Sequence, residues 1–324
     1  MTLETRDLVV TYDESGRRAL DRVSIRVEAG RTLAIVGPSG AGKTTLLRAI
    51  AGLQRVRSGD VLLQDESLAE RSPQSRRVAL VFQDDALFAH MTVRANLRFA
   101  LRDATPASER SVRETAEALH VGSFLDRRPR ELSGGERQRA SMARALLSAP
   151  KALLMDEPLA HLDPALRRNV RDEVLGVRER FAGPIVYVTH DHAEAMGVGD
   201  ELAVLIAGRI EDTGVPQRLY DAPRTLAVAR FLGDRPMNVL PDGSALIGIR
   251  PEHCRLVAGG ELRGRVIRRE TTGADAYLLV ETPRGELTVR VPAAVAASTS
   301  DEIEMALPAE HVRRFDRDSG VAIA

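Results

Sequence analysis

Apolar positions in the first two-thirds of the chain fall into short continuous runs separated by stretches of helical periodicity. "RTLAIVG" (31–37) is a strand-length run of compact apolar residues, and it leads directly into "PSGAGKTTLLRAIAGL" (38–53), where Leu46, Leu47, Ile50 and Leu53 recur at helical spacing. Further strand-length runs are "RVALVF" (77–82), "KALLMD" (151–156), "PIVYVTH" (184–190) and "ELAVLI" (201–206). Between them, 164–181 sets Leu166, Val170, Val174, Val177 and Phe181 on one helical face, and Met142, Ala145 and Leu146 mark a helix that begins near residue 133. Apolar strands alternating with helices predict an α/β fold on a mostly parallel, covered sheet.

Past about residue 235 the texture changes. "LRGRVIRR" (262–269), "DAYLLVE" (275–281), "GELTVRV" (285–291) and "EIEMALP" (302–308) are strand-like runs divided by turn signals, which predicts a small β-barrel-like domain over 236–324. A hinge is expected near "GDRPMNVLPDGS" (233–244), where Gly, Pro, Asn and Asp cluster. A chain of 324 residues is long for one core and suits two domains, the first spanning 1–235.

Composition removes several function classes. The 46 acidic and 46 basic residues cancel, so no global charge argues for nucleic acid or an anionic membrane surface. Past residue 240 the aromatic residues are Tyr277 and Phe315, too few for a base-stacking groove. Cys254 is the single cysteine, which excludes an internal disulfide and suits a reducing compartment. "MTLETRDLVV" lacks a signal-peptide pattern, and no apolar run approaches the roughly 20 residues that span a bilayer. Lysine occurs only at Lys43 and Lys151, so Lys43 stands where arginine does not substitute.

"GPSGAGKT" (37–44) is a phosphate-loop pattern, with Gly37, Gly42, Lys43 and Thr44 at its defining positions after a buried strand. Backbone N–H groups of such a loop hold phosphate oxygens, the lysine reaches the β- and γ-phosphates, and the hydroxyl binds Mg²⁺. "ALLMDEP" (152–158) ends an apolar strand in Asp156 and Glu157. Asp156 is suited to hold Mg²⁺ and Glu157 to act as general base on a water, while His190 at the end of "IVYVTH" can contact a γ-phosphate. In "LSGGERQR" (132–139), Ser133 and Glu136 form a capping box, yet that box does not require Gly134 and Gly135. Glycines in a first helical turn bare N–H groups and suit an anion, here one held by another copy of the chain.

With these motifs in order, the chain resembles the ATP-binding cassette family over about residues 3–235. "LSGGERQR" is similar to its signature, "VFQDDALFAHMTVRANL" to its Q-loop region with Gln83, and "AHLD" (160–163) to its D-loop with Asp163. The resemblance implies a P-loop cassette with a helical subdomain at about 88–150, followed by an oligonucleotide-binding-like (TOBE) domain. It implies ATP at Tyr12, Gly37, Ser39, Gly40, Ala41, Gly42, Lys43, Thr44 and Thr45, with Tyr12 under the adenine. Mg²⁺ is expected at Thr44, Gln83 and Asp156, and catalysis from Glu157, His190 and Gln83. Ser133, Gly134, Gly135, Arg127 and Asp163 are expected to act in trans in a head-to-tail homodimer, or a dimer with a close paralogue.

"DTGVPQRLYDAPRTLAVARFLGDRPMNVL" and "GIRPEH" (248–253) resemble importer ATPases, with "PMN" (236–238) leaning toward the sugar and glycerol-phosphate branch and polyamine, oxyanion or metal uptake as the alternative. The implied partners are membrane permease subunits, and indirectly a solute-binding protein, at the cytoplasmic face of the inner membrane, with no nucleic acid. A soluble cassette ATPase is the rival class. Glu136 stands where many members have Gln, His161 replaces a usual small residue, and the segment between "MNVL" and "ALIGIRPEH" is shorter than in most such relatives.

Overall fold

The computed structural model describes residues 1–12, 17–82, 87–101, 105–160, 171, 174–178 and 180–323. Contacts divide the chain into two compact units, Met1–Thr213 and Gly214–Ala324.

The first unit opens with an antiparallel pair, β1 (Thr2–Thr11) and β2 (Arg18–Glu28). β3 (Thr32–Val36) runs into α1 (Lys43–Ala51), as the apolar run and the helical spacing predict. There follow β4 (Ser58–Leu63), β5 (Glu66–Ser67), β6 (Val78–Val81), α2 (Val93–Phe99), α3 (Pro106–Ala118) and α4 (Gly134–Leu147). β7 (Ala152–Asp156), β8 (Ile185–Val188), a helix at His192–Val198, β9 (Glu201–Ile206) and β10 (Arg209–Gly214) complete it.

Two sheets result. One has the order β2-β1-β4-β5, and the other β10-β9-β3-β8-β7-β6. In the second, the neighbours from β9 to β6 all pair in parallel. Alternate residues of its strands serve two different cores, as the pleat requires. Leu154, Val186 and Val188 pack with Leu46, Leu47 and Ile50 of α1 and with Leu3, Leu8 and Val10 of β1. Leu153, Met155 and Tyr187 pack instead with Ala140, Met142 and Ala143 of α4 and with Val93 and Leu97 of α2. Helix α1 and helix α4 therefore cover opposite faces of the parallel sheet. Of the helical face read over 164–181, Val174 and Val177 are buried and Phe181 packs against the α4 core. Leu166 and Val170 lie outside the described residues.

Leu53 departs from the periodicity. Gly52 takes a left-handed φ of 79° and ends α1, so Leu53 leaves the helical face and is 52% exposed.

In the second unit, helices Pro216–Asp221 and Leu226–Phe231 precede nine strands. β11 (Asn238–Asp242), β12 (Ala245–Ile249), β18 (Arg313–Asp316) and β19 (Ala322–Ile323) form one sheet in that order. β13 (Arg255–Leu256), β17 (Glu302–Ala306), β14 (Leu262–Thr272), β15 (Asp275–Thr282) and β16 (Gly285–Pro292) form the other. Ala276, Leu278 and Val280 alternate into one core with Leu240, Ile249 and Met305. The shortened segment after "MNVL" is a tight hairpin in which Asp242 faces Ala245.

The stretch 233–244 is not uniformly loop, since β11 lies within it. The contact boundary falls before the two helices because Arg250 ties them to the strands. Its guanidinium is 1% exposed, donates to the carbonyls of Ala229 (3.2 Å), Leu232 and Tyr220 (3.0 Å), and lies 4.1 Å from the centre of the Tyr220 ring. Among the described residues no helix is long and apolar enough to cross a membrane.

Candidate functional site

The chemistry collects where parallel strands end. β3 delivers the loop at 37–42, β7 ends at Asp156, and β8 leads to His190; these are carboxyl ends of neighbouring strands, where open α/β sheets bind ligands.

Close packing dictates two of the loop's glycines, Gly37 and Gly42. A Cβ on Gly37 would lie 2.1 Å from the carbonyl oxygen of Leu205, and one on Gly42 would lie 2.5 Å from that of Ala19. Gly42 also holds φ at 107°, a conformation that side chains rarely adopt. Pro38, Ser39 and Gly40 are exposed at the tip, while Ala41 is buried beneath it. Lys43 folds inward: it is 7% exposed, and Nζ donates to the carbonyls of Gly37 (2.7 Å) and Pro38 (3.3 Å). Burial lowers the Lys43 pKa against the pull of Glu157 and Asp156, so an arriving phosphate would meet a poorly solvated cation.

Thr44 is the second residue of α1, and its hydroxyl donates to Asp156 Oδ1 at 3.1 Å. Asp156 is 4% exposed; burial raises its pKa, and the Thr44 hydrogen bond opposes the rise. The next residue, Glu157, holds φ at 46°, and its N–H donates to the Val188 carbonyl at 2.9 Å. That turn aims the carboxylate at His190, whose Nδ1 lies 2.9 Å from Glu157 Oε2. Tyr12 is 61% exposed, and its hydroxyl is hydrogen-bonded to Thr45 Oγ1.

The signature residues form a separate group. Ser133 caps α4: its Oγ accepts from the Glu136 N–H at 3.3 Å, and the Glu136 carboxylate accepts from the Ser133 N–H at 2.7 Å. First-turn N–H groups have no intrahelical acceptor, and those of Gly134, half-buried, and Gly135, buried, are of this kind. Arg127 lies 3.9 Å from Glu136. The Ser133 N–H, chiefly, holds the Glu136 carboxyl below the usual range, so the charge at this position is already engaged. Among the described residues, none of Arg127, Ser133, Gly134 and Gly135 bonds to the loop, Asp156, Glu157 or His190. Gln83, His161 and Asp163 lie outside the described residues.

The glycine loop, the buried Thr44–Asp156 pair and the paired Glu157 and His190 carry the chemical groups that binding and hydrolysing a nucleoside triphosphate requires. Residues 20–160 match the family model described as ABC transporter, and 247–315 match the TOBE domain. An sn-glycerol-3-phosphate import ATP-binding protein of Rhizobium meliloti (strain 1021) is 40% identical, with 97% of this chain and 98% of that protein covered.

The chain belongs to the ATP-binding cassette transporter family. It is an ATPase of that class with a TOBE domain. A second relative with the same import name, from Agrobacterium fabrum (strain C58 / ATCC 33970), is 40% identical over 92% of this chain and 93% of its own. Among solved structures, a cassette dimer in a post-hydrolysis state bound to ADP and Pi is 29% identical, with a TM-score of 0.58, and covers 66% of this chain and 98% of that one. The ADP conformation of another cassette is 26% identical, with a TM-score of 0.61, and covers 69% and 96%.

Sequence reasoning missed the residues that brace the cassette's loop from behind. The N–H of Gly208 donates to the Ala41 carbonyl at 3.0 Å, and the N–H of Asp21 donates to the Gly208 carbonyl at 2.8 Å. The Ala-Gly turn between "ELAVLI" and "RIEDTG" was a legible hairpin signal for the first of these. Arg76, 6% exposed, donates to the carbonyls of Ala49 and Ile50 at the far end of α1, a contact that no local pattern announces.

Proposed function

We propose that this ATPase drives an importer, and that it works as a head-to-tail pair of identical or closely related chains sandwiching two ATP molecules. In each site, Gly37–Thr45 holds the phosphates of one ATP, the Tyr12 ring underlies its adenine, and Ser133, Gly134, Gly135 and Arg127 of the second copy meet its γ-phosphate, with Asp163 at the contact. The observation that carries this reading is the placement of α1 and α4 on opposite faces of one parallel sheet. A signature helix that shares no bond with the phosphate loop among the described residues supports a second copy as the partner of each.

Glu157 is the base in this scheme. It takes a proton from the water that attacks the γ-phosphorus; the bond from that phosphorus to the β-phosphate oxygen breaks, and ADP leaves with the electron pair. His190, held on Glu157, fixes the water and the γ-phosphate. The donor set fits a hard divalent cation: Thr44 hydroxyl and Asp156 carboxylate lie 3.1 Å apart, and Mg²⁺ typically takes one or two protein oxygens beside phosphate oxygens. Gln83 completes the expected ligands. When bound, Mg²⁺ neutralises charge on the β- and γ-phosphates.

Closure of the pair moves a membrane permease, with the cassette of 1–235 as motor, its helical subdomain at about 88–150 as docking element, and 236–324 as regulatory unit. That assembly puts the protein at the cytoplasmic face of the membrane. The likeness to sn-glycerol-3-phosphate import proteins favours sn-glycerol-3-phosphate as cargo over a sugar, polyamine or oxyanion. Uptake of radiolabelled sn-glycerol-3-phosphate by cells lacking the gene tests this. The proposal expects uptake to be lost, restored by the wild-type chain, and not restored by Glu157→Gln; undiminished uptake in the deletion strain would contradict it.

A further inference from the structure

We infer that Arg18 is a further nucleotide-contacting residue, held by Asp21 beside the ribose and α-phosphate of the bound adenine nucleotide. This rests on the reading of Tyr12 and residues 37–45 as the ATP site.

Register places Arg18 at one end of that site. In the β1–β2 pair Arg18 faces Thr11, next to Tyr12, and the Tyr12 hydroxyl meets Thr45 on α1. One residue on, β2 is packed against the last turn of the loop: a Cβ on Gly42 would lie 2.5 Å from the Ala19 carbonyl oxygen and 2.9 Å from Leu20 Cδ2. Arg18 thus stands between the aromatic ring and the phosphate cradle. The parts of ATP that bridge base and β-phosphate are the ribose and the α-phosphate.

Charge points the same way. Arg18 Nη1 and Arg209 Nη2 both donate to the Asp21 carboxylate, and Arg22 lies 3.9 Å from it. Three guanidinium groups around one carboxylate leave an excess of two positive charges. Asp21 is 8% exposed, whereas the side chains of Arg18 and Arg209 are 52% and 58% exposed, so the cations face solvent and the anion lies beneath them. Arg18 keeps donors to spare, because a guanidinium has five N–H bonds. The Arg18 guanidinium holds the Asp21 carboxyl below its usual range, so the clamp stays charged at neutral pH. Asp21 is also tied to the loop through Gly208 and Ala41, which fixes the clamp to the cradle it serves.

Equilibrium binding of fluorescent ATP and ADP analogues to the full-length protein tests the assignment. Arg18→Ala should raise both Kd values by the same factor, about tenfold, because ribose and α-phosphate are common to both ligands and a charge-assisted hydrogen bond is lost. Arg18→Lys should recover part of the loss. Arg22→Ala removes the same charge and should stay within about twofold of wild type, because exposed charge acts weakly through screened solvent. The inference is overturned if Arg18→Ala binds both nucleotides like wild type, or if Arg22→Ala weakens binding as much, which would leave only a diffuse field. A wild-type protein that bound neither nucleotide would overturn the ATP-site reading itself.

Discussion

Glu157 Oε2 lies 2.9 Å from His190 Nδ1, across the ends of two adjacent parallel strands. The contact depends on the left-handed turn at Glu157, which swings the carboxylate away from the buried line of β7. His190→Ala should lower kcat about 100-fold while the Kd for ATP changes little, since in the proposed site the loop and not the imidazole holds the phosphates. Single-turnover hydrolysis beside equilibrium nucleotide binding checks this split. A matching loss of affinity would show that the histidine serves binding.

Gly37 has no room for a methyl group. With the Leu205 carbonyl 2.1 Å from where a Cβ would sit, Gly37→Ala should push β9 and the loop apart, cost about 1–3 kcal/mol of stability and abolish ATP binding. Gly30→Ala is the control: nothing lies within 4 Å of its Cβ position, so its φ of 67° is the only strain it adds. Denaturant unfolding and nucleotide titration on the two variants separate the effects.

Arg250 is the polar centre of the second unit. Arg250→Met keeps the bulk but strands the carbonyls of Tyr220, Ala229 and Leu232, and should destabilise that unit by about 3 kcal/mol. Arg250→Lys should rescue little, because an ammonium lacks the planar fork that reaches three carbonyls. Amide exchange of residues 216–232 reports the loss directly.

Cys254 is 3% exposed, and burial pushes its thiol up to about 12. The folded state therefore favours the neutral thiol, and its contribution to stability is intact below the ordinary value of 9.0 and lost as pH rises from there toward 12. The thiol should resist aromatic disulfide reagents at pH 8 in the native protein and react fully in denaturant. Fast native labelling would mean that the strand packing around Asn238 opens readily.

Much of this was legible because it is local. The run 31–53 carries its own strand, its glycine turn and most of its helix face, and the Ser133 and Glu136 spacing alone specifies the capping box that forms. Leu53 misled because helical periodicity does not say where a helix ends; Gly52 does. The β1–β2 pair went unread because "LETRDLVV" is half polar, and the pairing of β1 to β4 joins residues 49 to 60 apart, as in Val9 with Ser58 and Leu3 with Leu63. Arg250 was invisible for the same reason, since its carbonyl partners lie 18 to 30 residues away, and so was the Asp21 bond to Arg209; a charged residue ordinarily faces water.

The central claim is that each catalytic site needs two chains, and sedimentation of mixed variants tests it most directly. In a Glu157→Gln background, add Lys43→Ala to one chain and Ser133→Arg to the other; the second change removes a helix cap at a cost of about 1 kcal/mol and leaves the chain folded. Each alone should stay monomeric with ATP, while the mixture should form a dimer around its one complete site. A mixture that stays monomeric while the parent Glu157→Gln chain dimerises would contradict the composite site.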